Sequence, residues 1–156
     1  MSTCGGTIPT GTNLATANPG SFSITVDLSD NVGNISALSV AYTVSYNICP
    51  LYDSTLAVKT GSSYPIKIEL RDAAAQSLSD SGIVVQALGG TLAGTDTPGV
   101  LHATGNSNPG FAFRYDSILS GYIFNLDTAG NPPGTYSLNF VAGSDPSVHS
   151  ALSKIN

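Results

Sequence analysis

Tryptophan is absent from this 156-residue chain, glutamate occurs once, at Glu69, and lysine and arginine together number five. Exposed helix faces are built from Glu, Lys and Arg, so a helical protein of this length is hard to make from such a set. Only 10% of residues are charged, against roughly 25% in an ordinary soluble domain. The net charge is −5, and no cluster of Lys or Arg stands ready to neutralise phosphates, so nucleic acid is not an expected partner. An anionic membrane surface is disfavoured for the same reason. No apolar run approaches the ~20 residues that span a bilayer. The opening Met1-Ser2-Thr3-Cys4-Gly5 lacks the basic start and apolar core of a secretion signal.

Cysteine is scarce too. Cys4 and Cys49 allow one bridge at most. Closing a loop of that size would stabilise the fold by about 4 kcal/mol in the chain-entropy account. The alternative is two separate buried thiols.

What is abundant is small and polar: Ser, Thr, Asn and 17 Gly. These suit strands joined by turns. One phrase occurs twice. Pro133-Gly134-Thr135-Tyr136-Ser137-Leu138-Asn139-Phe140 is a turn feeding a strand whose apolar residues alternate with small polar ones. Pro19-Gly20-Ser21-Phe22-Ser23-Ile24-Thr25-Val26 repeats it near the start. With Leu38, Val40, Tyr42 and Val44 alternating after the turn cluster at 29–34, residues 21–44 read as a β-hairpin. Residues 1–18 read as loop with one short strand, and 45–54 as a linker into a second unit. Beyond it, strands are expected at 55–59, 63–70, 83–88, 99–103, 111–115, 122–126, 135–140 and 148–155. Tyr64, Ile66, Ile68 and Leu70 face inward, and Pro65 asks for a position without a ladder bond on one side.

Short strands with turns at even spacing indicate an all-β fold, an immunoglobulin-like β-sandwich of Greek-key type with an additional N-terminal β-hairpin. The expected division is 1–46, the C-terminal part of one such unit, and 47–156, a complete sandwich. In such sandwiches a Tyr at the start of the penultimate strand bonds back to upstream backbone. Gly134 and Tyr136 stand in that place, and Phe22 stands in the matching place of the earlier copy, without a hydroxyl.

Residues 47–156 resemble bacterial surface domains named for a Pro-x-Lys-Phe motif. The stretch Val58-Lys59-Thr60-Gly61-Ser62-Ser63-Tyr64-Pro65-Ile66-Lys67-Ile68 carries the likeness, with Ile68 in place of Phe. So do Phe113-Arg114-Tyr115-Asp116, Gly121-Tyr122-Ile123-Phe124-Asn125-Leu126 and Gly134-Thr135-Tyr136. Residues 13–44 are similar to the end of a hyalin-repeat or related Ig-like domain. The resemblance implies a module strung along a secreted or surface-attached bacterial protein, extracellular and not an enzyme. It also implies a Cys near the position of Arg71 as a partner for Cys49. That residue is missing here, which leaves Cys49 free or paired with Cys4.

Chemistry-bearing residues are few. His102 and His149 lie in no recognisable motif, and no serine-hydrolase elbow, metalloprotease helix or phosphate loop occurs. Asp27, Asp30, Asn31 and Asn34 cluster at one turn and offer hard oxygen ligands to calcium. Turn geometry alone also accounts for them. Lys67 and Glu69 share a strand face opposite Ile66 and Ile68, where solvent is expected. Among the aromatics, Tyr115 and Tyr122 are the candidates for an exposed sugar platform. Asn34-Ile35-Ser36 is a glycosylation sequon in form only.

The expected role is therefore a structural spacer or assembly unit without a cofactor other than calcium. Its partners are other domains of the same protein, or a second copy meeting the 21–44 hairpin, whose apolar face is expected to be covered by residues 50–156, by a second copy in a dimer or filament, or by residues upstream. The alternative is an adhesion module that binds a glycan or protein through loops at one end of the sandwich.

Overall fold

Alternating apolar and small polar residues write most of the strands directly. The computed structural model describes residues 3–9, 11–92, 98–99 and 108–156. The chain divides into two compact units, Met1–Ser45 with Ser144–Pro146, and Tyr46–Gly143 with Ser147–Asn156.

The first unit is a three-stranded antiparallel sheet, β1 (Thr3–Gly6), β2 (Gly20–Ser29) and β3 (Ile35–Val44), with β2 in the middle. Phe22 lies opposite Tyr42, Ile24 opposite Val40 and Val26 opposite Leu38. Because side chains alternate across a strand, these six share one face, joined by Leu28 and by Cys4 opposite it. Ser23, Thr25, Ser39 and Ala41 take the other face. The rings of Phe22 and Tyr42 stack with centroids 5.4 Å apart. Every buried hydrophobic side chain among the described residues belongs to the span from Tyr46 to Ile155. The small sheet therefore has no core of its own.

The second unit has two sheets. One has the order β4 (Asn47–Pro50), β6 (Ser63–Arg71), β10 (Gly121–Asp127), β9 (Arg114–Asp116). The other runs β5 (Ala57–Val58), β12 (His149–Ile155), β11 (Gly134–Ala142), β7 (Val85–Leu92), β8 (Pro98–Gly99). All pairings are antiparallel except β5 with β12. The first strand is thus split: β4 edges one sheet, and the chain then crosses to lay β5 beside the last strand. Pro50 is the last residue of β4 and lies opposite Ile68, and the Leu51 amide just beyond it still donates to the Lys67 carbonyl at 2.8 Å. The strand order is that of an immunoglobulin-type Greek-key sandwich, four strands against five.

The core lies between the sheets. Tyr64, Ile66, Ile68, Leu70, Tyr122, Phe124 and Leu126 on one side meet Val85, Ala87, Leu138, Phe140, Ala142 and Ala151 on the other. Phe113 joins them, its ring 5.0 Å from that of Phe124 and 5.3 Å from that of Phe140. Leu88 is an extra residue opposite the Asn139–Phe140 step, a bulge that turns its side chain out to solvent. Pro65 sits where β6 pairs only with β10, since β4 runs alongside 68–71.

Several expectations are corrected. The stretch 45–54 is not merely a linker: Tyr46 is buried and β4 lies within it. Residues 111–115 do not form one strand. Gly110 and Phe111 both have φ near +60° and turn the chain, so that only Arg114 onward is extended. The strand anticipated at 99–103 falls almost wholly outside the described residues.

Candidate functional site

Six aspartates open loops in the same way. The carboxylate of Asp30 accepts the amide of Val32, Asp53 that of Thr55, Asp72 that of Ala74, Asp80 that of Gly82, Asp116 that of Ile118 and Asp127 that of Ala129. Each is an aspartate side chain standing in for backbone two residues on, the device that makes Asp a turn residue. The distances are 2.8–3.1 Å. Most of the chain's negative charge is thus spent on closing its own turns.

The turn proposed for calcium is one of these. Asp30 Oδ1 accepts the amides of Val32 and Asn34 at 2.9 Å each, and the Asn34 side-chain amide donates to Asp30 Oδ2 at 2.6 Å. The Asn34 side chain, then its amide, holds the Asp30 carboxyl below its ordinary value. Asp27 lies three residues back on β2, opposite Ala37, and Asn31 is exposed at the tip. Among the described residues no three His, Cys, Asp or Glu side chains gather as they would around a metal ion.

Cys4 and Cys49 are both free thiols, Cys4 exposed and Cys49 half-buried. Cys4 belongs to the three-stranded sheet and Cys49 to the sandwich. Cys49 lies on β4 opposite Glu69, on the outer face of β6.

Glu69 itself was expected in solvent and is not there: the residue is only 9% exposed. Its neighbour two along, Arg71, folds back over it, with Nε and Nη2 donating to Oε2 at 2.8 and 2.6 Å. A hydrogen bond from Ser77 and those from Arg71 hold the Glu69 carboxyl below its usual value, against the opposing effect of burial. The reason lies in the loop after β6, which returns to bridge Arg71 with Ser77 and so roofs the strand.

The tyrosines are structural. The Tyr136 hydroxyl donates to the carbonyl of Pro132 at 2.8 Å, a tyrosine corner at the entry to β11. Gly134 lies beside it, where an added Cβ would stand 2.5 Å from Leu92 Cδ1 and would make that side chain shift. Tyr122 is fully buried, correcting its place as a surface candidate. Its hydroxyl accepts the amide of Asp80 at 3.0 Å and donates to the Asp80 carbonyl at 2.9 Å. Tyr115 packs edge-on against it, half-buried. Tyr52 donates to the carbonyl of Leu152 at 2.6 Å, and burial, helped by neighbouring Tyr64, pushes its hydroxyl up to about 12. The sequence signal for these burials was present in the inward register of β6 and β10, which Tyr64 and Tyr122 share with Ile66 and Phe124.

His149 begins β12, with its ring 5.7 Å from that of Phe140. His102 lies outside the described residues.

No protein-family model and no curated protein matches the chain. Solved structures similar to it include domains 4 and 5 of the S-layer protein SbsC, at 12% identity and a TM-score of 0.36, covering 88% of this chain and 65% of that one. Murine CEACAM1b is similar at 13% identity and a TM-score of 0.27, covering 92% of this chain and 58% of that one. The chain spans less than two thirds of either. The immunoglobulin-type order rests on the strand pairing itself.

Proposed function

We propose that the chain is a non-enzymatic structural module, a spacer or assembly unit of a secreted or surface-attached bacterial protein, as its resemblance to Pro-x-Lys-Phe domains implies. One observation supports this most directly. Among the described residues, six aspartates close their own turns, Glu69 is roofed by Arg71, and the hydroxyls of Tyr122 and Tyr136 bond to backbone, so these groups are engaged in holding the fold. Catalytic carboxylates and phenols are instead aimed at a space where substrate can sit. Low charge and a sandwich filled by side chains suit a unit whose work is to hold its length and present neighbours. Other domains of the same protein are its expected partners.

The test is a turnover screen of the full chain against ester, glycoside, phosphoester and peptide substrates. No rate above the uncatalysed background is expected. Turnover that disappears on replacing Asp80, Asp116 or His149 would overturn the reading, because those side chains would then be working on substrate.

A further inference from the structure

We draw no further inference here: the strongest candidate, the groove of about 190 Å³ between β4 and β12 lined by Ile48, Pro50, Tyr52, Ala151 and Leu152, has its phenol already bonded to the Leu152 carbonyl, and nothing in the structure shows what would occupy it.

Discussion

At the scale of single residues, the fold is held by side chains that substitute for backbone. Tyr136 ties the entry of β11 to Pro132, whose exposed residue leaves the carbonyl open to water once the hydroxyl is gone. Tyr136→Phe is therefore expected to cost about 1 kcal/mol, the net worth of one neutral hydrogen bond. Urea unfolding followed by tyrosine fluorescence reads it, and an unchanged midpoint would show that the corner contributes nothing. Glu69 makes a pH prediction. Its folded value is lowered, so the stabilisation it brings is complete above the unfolded value and is lost as pH falls through the lowered folded one. Thermal unfolding should thus lose part of its midpoint below about pH 4.3. In Glu69→Gln that acid slope should flatten, and an identical slope in both proteins would assign it to other groups. The aspartate turns were legible in the sequence as turn chemistry. The roof over Glu69 was not, because it depends on a loop returning to its own strand, which periodicity does not report.

At the scale of elements, period-2 alternation marked β2, β3, β6, β10 and β11 where they lie. It failed for β4 and β9. Asn47–Pro50 contains one aliphatic, Ile48, and four residues hold too little pattern to separate a strand from a linker. Its pairing with β6 decides its conformation. The apolar stretch from Phe111 was broken by backbone at Gly110 and Phe111, leaving Phe113 in the core and Phe111 43% exposed. Among the described glycines the tightest approach to another strand's backbone is at Gly121, where a Cβ would stand 2.6 Å from the Ile68 carbonyl and 3.2 Å from Leu51 Cδ1. Gly121→Ala must part β10 from β6, the centre of the four-stranded sheet, at a cost of about 1–3 kcal/mol. Chemical denaturation checks it, and a variant as stable as the parent would mean that the two strands slide freely there.

At the scale of the whole molecule, the two units differ in what encloses their strands. The repeat of the Pro-Gly turn and its alternating strand revealed from sequence that there are two hairpins of one kind. It also set a partial unit, whose apolar face needs a cover, against a complete sandwich; what covers that face it did not reveal, because covering a face depends on residues distant in the chain. Opening free energy follows buried apolar contact. Amides of β2 and β3 are expected to exchange orders of magnitude faster than those of β6, β10 and β11 in dilute solution. Hydrogen-exchange mass spectrometry of the full chain resolves the two sets, and uniform protection would contradict the difference in burial.

The split first strand has a mechanical consequence. β5 runs parallel to β12, with Lys154 beside Ala57 and Ile155 beside Val58, and the bonds Asn156 N–Val58 O (2.9 Å) and Thr60 N–Asn156 O (3.0 Å) extend the pairing. Tension applied at Tyr46 and Asn156 draws these neighbours in opposite directions along their length. Their hydrogen bonds then share the load and must break together. Tension applied at Gly134 and Asn156 enters the β11–β12 hairpin at its open end, where Gly134 faces Ile155, and parts the bonds one at a time. Force spectroscopy with these two handle pairs should give the higher rupture force for the first, and equal forces would mean that the clamp does not hold. A sandwich pulled at Tyr46 and Asn156 is thus loaded in shear across β5 and β12.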